Sequence, residues 1–535
     1  MKKSNEGKQQ KENVEKTAAF GKKRLSKNFV LKACIFATGL AGIVAEYVIS
    51  TLASYLMGNT VIQWTLIVSL MLFAMGVGSR ISRYIRRNLL DAFVIIEFAL
   101  SVLCAVSTIF SYYLSAYIRN VALVIYPLAA AIGVLIGLEI PLATRLNDLF
   151  EELRVNISTV MEKDYYGALL GGVLFAFVAL PHLGLTYTPI ILGSINFLIA
   201  IVLFYQFRHL VYYRKILTLG VAVIPVILIG LFITAEPIVL FGEQQKYKDR
   251  VIFQKQTPYQ RIVVTQWRDY YWLYLNGNEQ FSSYDEERYH EPLVHPAMVL
   301  SASRKNILIL GGGDGLAARE VLKYPEVQSV VLVDIDPIMT DLGKNHALFI
   351  KLNQNALNDP RVKIVNTDAY IYLKNSNMLF DVIIVDLPDP KSVDLARLYT
   401  LQFYQNIARH LIKGGTMVTQ ATSPFFAREA FLSILKSVQA AGLPAIAYHN
   451  HIPTLGEWAW VLGVNSKEVK PDNLKNWLSQ QKFDKIETRF LNQEAMISMI
   501  NFGKQTFRNF DKIKVNDELD LAVFRYYRQG TWELY

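Results

Sequence analysis

The hydrophobic positions of this chain follow two different patterns, one before residue 235 and one after it. Before residue 235, long apolar runs with few charges begin near Phe29, Val61, Ala92, Val121, Tyr166, Pro189 and Ile216. A helix needs roughly 20 apolar residues to cross the hydrocarbon core of a bilayer. We therefore predict a multi-pass α-helical membrane domain at residues 29–235, with about seven helices and an error of one either way.

From about Lys246 the apolar runs become short and are separated by turns. Two of them, Ile262–Thr265 and Trp272–Leu275, predict strands of a small β-strand subdomain at residues 246–300. Short apolar runs that alternate with helical segments indicate a mostly parallel, doubly wound α/β sheet. Such runs occur at Ile307–Leu310, Val330–Val333, Val362–Val365, Val382–Val385 and Thr416–Thr419.

The stretch from Ile307 to Asp336 is the most informative part of this sheet. An apolar run breaks into the glycine turn Gly311–Gly315, a helical segment follows, and a second apolar run ends on Asp334. This order is typical of a Rossmann-like βαβ unit that binds an adenosine-type ligand, with the second-strand carboxylate placed for the ribose hydroxyls. Asp314 lies inside the glycine turn, where it would repel a pyrophosphate, so the turn favours a cationic ligand.

Acidic residues follow four of the predicted strands. They are Asp314, Asp334, Asp368 and the pair Asp386 and Asp389. A single acid after a strand is often only a helix cap, but four successive strand ends indicate a site. Asp334 and Asp368 can accept hydrogen bonds from a ribose and an adenine amino group, whereas the other acids can form an anionic cradle for a polycation.

Composition and charge agree with a membrane-attached chain. Its 535 residues are 52% hydrophobic, with a mean hydropathy of +0.24, which is too apolar for a soluble enzyme alone. Residues 1–28 carry nine Lys or Arg and three Glu, a net +6 of the chain's +10. Phe20 is the one aromatic residue among them, too few for stacking on successive bases, so we predict a basic, disordered cytoplasmic tail near anionic lipid and no nucleic acid partner.

The same motifs, taken in order, resemble those of the spermidine synthases (polyamine aminopropyltransferases), in particular the membrane-anchored bacterial branch. The resemblance is dense from about Thr257 to Val464. It rests on Tyr259-Gln260, Leu273–Gly277, Gln280-Phe281, Asp285-Glu286, Tyr289–Glu291, His295-Pro296, the glycine turn, Asp334–Asp336, Asp368-Ala369, Asp386–Pro390 and Leu398–Thr400. The resemblance implies a class I methyltransferase-type Rossmann-like aminopropyltransferase domain at residues 301–465 and a C-terminal extension at residues 466–535.

The resemblance also implies roles for individual residues. Asp386 would be the catalytic acid or base, and Asp389 would hold the distal ammonium of the acceptor. His290 and Asp314 would contact the transferred aminopropyl group and the polyamine. The methylthioadenosine portion of decarboxylated S-adenosylmethionine would contact Gln260, Asp334, Asp368, Ala369, Gly311 and Gly313. Further substrate-binding candidates are Gln280, Tyr289 and Tyr399. The chain departs from the soluble members at Pro453-Thr454-Leu455, which lacks their usual tyrosine.

The implied reaction moves an aminopropyl group to putrescine or a related diamine, with decarboxylated S-adenosylmethionine as cosubstrate and neither cofactor nor metal. Two alternatives stay open: a methyltransferase on the same scaffold, and a membrane transporter or sensor whose polyamine-binding domain has no activity. The only cysteines, Cys34 and Cys104, lie in predicted spans and form neither a disulfide framework nor a zinc site. His449-Asn450-His451 lacks further ligands at a zinc spacing. A homo-oligomer also stays open.

Loop charges and chemistry disagree about the side of the membrane. Basic loops follow the second, fourth and sixth predicted spans, so the positive-inside rule puts the N-terminus in the cytoplasm. Seven spans would then leave the catalytic half outside, although its nucleoside cosubstrate is made inside. We predict a multi-pass cell-membrane protein with a cytoplasmic catalytic half. Glu46, Glu97 and Glu139 fall within the predicted spans, where acids are costly and often functional.

Overall fold

A computed structural model describes residues 2–57, 60–115, 117–118, 120–148, 152–466 and 468–532, with the side chains of residues 2–27, 60 and 243 left undescribed. The basic tail predicted for residues 1–28 therefore lies almost wholly outside the described side chains. The chain divides into two compact units, Met1–Lys248 and Asp249–Tyr535.

The first unit is helical. Its helices are α1 (Lys2–Met57), α2 (Thr60–Ser82), α3 (Leu89–Ser115), α4 (Ala122–Asn147), α5 (Leu153–Leu174), α6 (Gly184–Gln206) and α7 (Arg214–Lys246). Within the described residues, six segments are long and apolar enough to cross a membrane. One of them, Leu153–Gln206, has 54 residues and contains both α5 and α6. Six such segments therefore correspond to seven helices.

The boundary between α5 and α6 has a local cause. A wide π-helical stretch, Phe175–Leu183, contains Pro181, which cannot donate a backbone hydrogen bond. Gly184 follows with φ 62°, a conformation that favours glycine. The regular helix is thus interrupted between the two apolar runs that were predicted to begin near Tyr166 and Pro189.

Glycines let the helices of this unit approach closely. A Cβ at Gly137 of α4 would lie 2.1 Å from the carbonyl oxygen of Met75 in α2, and one at Gly167 of α5 would lie 1.9 Å from that of Phe36 in α1. Small residues at helix contacts are typical of membrane bundles. Large apolar side chains instead cover the outer surface of α7, for example those of Leu219, Val226 and Ile233.

The second unit begins with a four-stranded antiparallel sheet in the order β1-β2-β3-β4. Its strands are β1 (Arg250–Gln256), β2 (Arg261–Trp267), β3 (Tyr270–Leu275) and β4 (Asn278–Ser282). The two strands predicted from the sequence are β2 and β3. Residues Asn276 and Gly277 form the turn between β3 and β4, both with positive φ, which suits a tight hairpin.

A seven-stranded sheet with the order β10-β11-β9-β8-β5-β6-β7 forms the centre of this unit. Its strands are β5 (Asn306–Gly311), β6 (Ser329–Asp334), β7 (Val362–Asn366), β8 (Phe380–Asp386), β9 (Leu411–Gln420), β10 (Ala445–Ile452) and β11 (Gly456–Val464). Only β11 runs against the others, because it pairs antiparallel with both β9 and β10. This is a Rossmann-like sheet of the methyltransferase type, as predicted, and its switch point lies between β5 and β8.

Helices cover both faces of this sheet and enclose two hydrophobic clusters. They are α8 (Glu287–Leu300), α9 (Leu316–Leu322), α10 (Pro337–Asn345), α11 (Ala347–Leu352), α12 (Ala369–Asn375), α13 (Val393–Ala396), α14 (Leu401–Arg409), α15 (Arg428–Ala440), α16 (Pro471–Ser479), α17 (Gln493–Met499) and α18 (Ala522–Arg528). The last helix, α18, packs against α15, so the C-terminal segment returns to the sheet domain.

Candidate active site

The glycine turn after β5 is shaped by its closeness to β8. Gly311 and Gly312 have φ values of 88° and 68°, and a Cβ on Gly311 would lie 1.9 Å from the carbonyl oxygen of Asp386. Gly311 is also the register partner of Asp386. No larger residue fits at this position. The turn and the end of β8 therefore meet at the switch point of the sheet.

Asp334, at the end of β6, faces the same turn. Its Oδ2 accepts a hydrogen bond from the backbone nitrogen of Gly313 at 3.0 Å, and its Oδ1 accepts one from that of Asp336 at 2.8 Å. A Cβ on Gly313 would lie 2.6 Å from Oδ2 of Asp334. Burial raises the pKa of Asp334 to about 6.

Gln260 is held by Asp336 rather than by Asp334. The Asp336 side chain is fully buried, and its Oδ2 accepts hydrogen bonds from Nε2 of Gln260 at 3.0 Å and from Oγ1 of Thr257 at 2.8 Å. Asp336 also caps α10 through Ile338. The sequence identified Asp336 within a motif but assigned it no role, and the structure shows that it connects the small sheet to the glycine-turn region.

Asp368 caps α12. One carboxylate oxygen accepts hydrogen bonds from the backbone nitrogens of Tyr370 and Ile371 at 2.8 and 3.2 Å, and the other pairs with Arg397. Ala369 is the first residue of the helix and is buried. The cap and the ion pair occupy both oxygens of Asp368, so its adenine contact stays a prediction.

Asp386, the last residue of β8, receives a hydrogen bond from the hydroxyl of Tyr289 at 2.8 Å. Burial raises the pKa of Asp386 to about 6; the nearby Asp314 adds to the rise, while His290 and the Tyr289 hydroxyl oppose it. Asp386 is therefore ionised at neutral pH and ready to accept a proton. Burial likewise raises the pKa of Asp314, whose Oδ1 accepts from the backbone nitrogen of Leu316 at 2.8 Å.

His290 belongs to a buried charge network. Burial alone would lower its pKa, but the hydrogen bond and the charge of Glu286 outweigh burial and raise it to about 9. Nδ1 of His290 lies 2.9 Å from Oε2 of Glu286, and Arg319 pairs with the same carboxylate at 2.9 Å. His290 is therefore an imidazolium at neutral pH, near both Asp314 and Asp386.

Asp389 is held by residues that are distant in the sequence. Its Oδ2 accepts a hydrogen bond from the hydroxyl of Tyr527 in α18 at 2.9 Å, and its Oδ1 accepts one from Nε2 of Gln420 at 3.3 Å. Only 7% of Asp389 is exposed, and burial raises its pKa. Lys391 is a nearby cation, and its Nζ donates to Oδ1 of Asn278 at 2.6 Å.

Two of the predicted substrate contacts are engaged within the protein. The hydroxyl of Tyr399 donates to the carbonyl oxygens of Leu387 and Pro388 at 3.1 and 2.9 Å, which fixes the segment between the two acids of this loop. Nε2 of Gln280 donates to the carbonyl oxygens of Asn278 and Glu279, both at 3.1 Å. Substrate contacts for Tyr399 and Gln280 stay predictions.

Several residues of this pocket were not predicted from the sequence. Glu286 stands four residues before His290 on a helical segment, a spacing that could have indicated the pair. No local pattern connects Gln420 or Tyr527 with Asp389, because 31 and 138 residues separate them. Within the described residues, no group of three or more His, Cys, Asp or Glu could hold a metal ion.

Comparison with known proteins gives consistent matches. The family described as "Spermine/spermidine synthase domain" matches residues 286–476. "Polyamine aminopropyltransferase 2" of Aquifex aeolicus is 42% identical over 506 residues, which cover 94% of this chain and 99% of the relative. "Polyamine aminopropyltransferase" of Leptospira interrogans is 38% identical, and the match covers 84% of this chain and 90% of the relative. "Polyamine aminopropyltransferase" of Oceanobacillus iheyensis is 37% identical, and the match covers 93% of this chain and 96% of the relative.

Two solved structures match about half of the chain. A spermidine synthase in complex with the transition state analogue AdoDATO is 26% identical, with a TM-score of 0.45, and the match covers 49% of this chain and 89% of that one. The spermidine synthase of Thermotoga maritima is also 26% identical, with a TM-score of 0.44 and coverage of 49% and 88%.

Proposed function

This chain belongs to the polyamine aminopropyltransferase family, and we propose that its acidic pocket transfers the aminopropyl group of decarboxylated S-adenosylmethionine to putrescine. The products are spermidine and methylthioadenosine. The observation that supports this best is the cluster of Asp314, Asp386 and Asp389 at the switch point, because three buried acids suit a cationic donor and a dicationic acceptor.

On the donor side, we assign the glycine turn and Asp334 to the methylthioadenosine portion. Asp334 follows the second strand of the βαβ unit, where a carboxylate meets ribose hydroxyls in this fold. Gln260, fixed by Asp336, is assigned to the same ligand. Asp314 would lie beside the aminopropyl group, where its negative charge favours the amine and disfavours the carboxylate of the unmodified cosubstrate.

On the acceptor side, we assign Asp389 to the distal ammonium of the diamine and Asp386 to the reacting nitrogen. Tyr527 and Gln420 orient the carboxylate of Asp389. The hydroxyl of Tyr289 orients that of Asp386. Asp386 ends β8 and Asp389 follows three positions later, so we assign both carboxylates to the two ends of one short diamine.

The proton step follows from charge. An aliphatic ammonium has a pKa near that of a lysine, about 10.4, so it must lose a proton before it can attack. Asp386 accepts that proton, and the nitrogen lone pair forms a bond to the propyl carbon attached to the sulfonium. The carbon–sulfur bond breaks with its electrons on sulfur, which gives a neutral thioether. The proton then leaves Asp386 for solvent. A positioned base contributes roughly 10²–10⁴-fold to such a step.

Assays of the full-length chain with two donors test this function. With decarboxylated S-adenosylmethionine, a panel of putrescine, cadaverine and agmatine should give equal amounts of methylthioadenosine and aminopropylated product, with putrescine used best. The unmodified cosubstrate should support neither this transfer nor methylation. Methylated product would indicate the methyltransferase alternative, and amine binding without turnover would indicate a transporter or sensor.

We further propose that the first unit embeds the enzyme in the cell membrane. Its six long apolar segments and the exposed apolar side chains of α7 support insertion, because such a surface is covered by lipid or by another protein. The catalytic unit is assigned to the cytoplasm, where the diamine and the nucleoside cosubstrate are made. Partition of the full-length chain with membranes that resist high-salt and alkaline washing tests the insertion.

A further inference from the structure

Two carboxyl groups are buried side by side within the helical unit. Glu97 of α3 is 0% exposed and Glu139 of α4 is 5% exposed, and the two groups interact. Among the described residues, the group within hydrogen-bonding reach of Glu97 is the carboxyl of Glu139, so neither oxygen of Glu97 has a donor while both groups are ionised. A buried carboxyl without a partner is costly in a protein interior and more so in a membrane. The pair therefore requires a proton or a cation.

Further unsatisfied acceptors surround this pair. Asn196 of α6 is 3% exposed, and its Oδ1 has no described hydrogen-bond donor. The hydroxyl of Ser101, one helical turn after Glu97, is also unpartnered among the described residues. Gly193 allows α6 to reach this part of α3, because a Cβ there would lie 2.3 Å from the carbonyl oxygen of Ser101. The two helices α3 and α6, which are in contact at Gly193, therefore each carry a polar group without a described partner.

Glu139 and Asn196 line the same narrow crevice, which is too tight to admit a water molecule without movement of its walls. Its other walls are largely apolar and include Ala41, Ala45, Leu100 and Ile136. The crevice therefore has an acidic, acceptor-rich part beside a hydrocarbon part. That combination suits a ligand with a charged nitrogen on an alkyl chain, which would widen the crevice by shifting the surrounding side chains.

The unfilled acceptors match an ammonium group. An ammonium carries three donors and no acceptor. While Glu97 and Glu139 are both ionised, the two oxygens of Glu97 and Oδ1 of Asn196 lack a donor among the described residues. A divalent metal ion needs about six oxygen ligands at roughly 2.0–2.6 Å, a shell that apolar walls do not supply. We propose that Glu97, Glu139 and Asn196 form a second amine site, which binds the ammonium end of an aliphatic amine inside the membrane bundle.

This site rests on the proposed function only in that the helical unit is embedded in a bilayer. The test uses the full-length chain in lipid nanodiscs and radiolabelled putrescine as the probe. A background with Asp386→Asn and Asp389→Asn suppresses binding at the catalytic pocket. In that background we expect one putrescine per chain, and Glu97→Gln or Asn196→Ala should raise the dissociation constant at least tenfold, which corresponds to a loss of about 1.4 kcal/mol.

The controls separate this site from folding and from catalysis. Glu46→Gln changes another buried acid of the bundle, one that does not line the crevice, and should leave binding unchanged. Glu97→Gln in the otherwise unaltered chain should keep normal turnover, which shows that the chain is folded. If Glu97→Gln does not fold, Asn196→Ala decides the matter.

Two outcomes would overturn the proposal. One is the absence of putrescine binding in the background that retains Glu97, Glu139 and Asn196. The other is unchanged binding after both Glu97→Gln and Asn196→Ala. If the unaltered chain shows no turnover but binds putrescine in a Glu97-dependent manner, the catalytic function fails and the second amine site stands.

Discussion

At the scale of single residues, the charge state of Asp386 is set by its neighbours. Burial raises its pKa to about 6, and Asp314 acts in the same direction, whereas the positive charge of His290 opposes them. Glu286 raises the pKa of His290 to about 9, so His290 keeps its positive charge at neutral pH. A carboxyl with a pKa below neutrality accepts a proton only when ionised, so turnover should fall as the pH drops through about 6.

Glu286→Gln tests this arrangement. The substitution removes the charge that stabilises the His290 imidazolium, so the pKa of His290 should fall. Loss of the positive charge should then raise the pKa of Asp386 further, and the acid limb of the pH profile of kcat should move to higher pH. Glu291→Gln is the matched control, because Glu291 is buried in α8 next to His290. Its carboxylate accepts hydrogen bonds from the backbone nitrogens of residues 489–491 instead. An acid limb that stays in place in Glu286→Gln would show that His290 does not tune the base.

Asp314→Asn tests donor selection. We expect a higher KM for decarboxylated S-adenosylmethionine, because the substitution removes the negative charge beside the aminopropyl group. Discrimination against the carboxylated cosubstrate should relax, since repulsion of its carboxylate is lost. The measurement compares the dissociation constants of the two nucleosides for both proteins. An unchanged ratio would assign the selection to another residue.

The positions of individual acids were predictable, but their partners were not. Asp314, Asp334 and Asp386 each follow or end a parallel strand, and the carboxyl ends of parallel strands lie at one edge of the sheet. Glu286 and Tyr527 act through the folded contacts that bring them to His290 and Asp389. Such pairs depend on packing between distant parts of the chain, which hydrophobic periodicity does not encode.

At the scale of elements, the short helix α18 contributes to the proposed acceptor site. It packs against α15 and brings the hydroxyl of Tyr527 to Asp389. The ring of Tyr527 also lies against that of Trp532, with 4.8 Å between centroids. The chain lacks a tyrosine at Pro453-Thr454-Leu455. Tyr527 of the C-terminal extension donates a hydrogen bond to Asp389.

Tyr527→Phe tests the role of α18. The ring and its packing are retained, while the hydrogen bond to Asp389 is lost. We expect the KM of putrescine to rise about tenfold with little change for the donor, because hydrogen bonds to charged groups contribute roughly 1.5–3 kcal/mol. Tyr526→Phe is the adjacent control, since its hydroxyl contacts the backbone of Lys514 instead. Equal effects of the two substitutions would indicate a purely structural role for Tyr527.

Prediction of the elements succeeded where the strands are parallel and buried. The predicted runs correspond to β5, β6, β7, β8 and β9, because strands covered on both faces are continuously apolar. The edge pair β10 and β11 was not predicted. The polar residues His449, Asn450 and His451 interrupt β10. In β11 the apolar run Trp458–Leu462 was not assigned to an element.

At the scale of the whole molecule, the number of membrane crossings determines the side of the catalytic unit. The described helices agree with the seven predicted, but α5 and α6 form one continuous apolar segment of 54 residues. At about 1.5 Å per residue, that length is more than twice the hydrocarbon thickness of a bilayer. The sequence predicts separate spans from near Tyr166 and Pro189, and the break lies between these two starts, at Phe175–Leu183, where Pro181 interrupts an otherwise apolar stretch.

Reporter fusions test the side of the membrane. A reporter active only in the cytoplasm, fused at Tyr535 and in a second chain after Glu236, should be active at both positions. A reporter active only outside should be silent at both. The physical reason is access to the nucleoside cosubstrate, which is made in the cytoplasm. The opposite pattern would support seven crossings with a cytoplasmic N-terminus, and it would favour a function in amine transport.

The most direct test of the account is the effect of Asp386→Asn on turnover and on methylthioadenosine binding in the same preparation. The substitution removes the proton acceptor and leaves Asp334 with its contacts to the glycine turn. We expect kcat to fall roughly 10²–10⁴-fold, while the dissociation constant of methylthioadenosine changes by less than about threefold. Near-normal turnover in Asp386→Asn would contradict the account and require another base in this pocket.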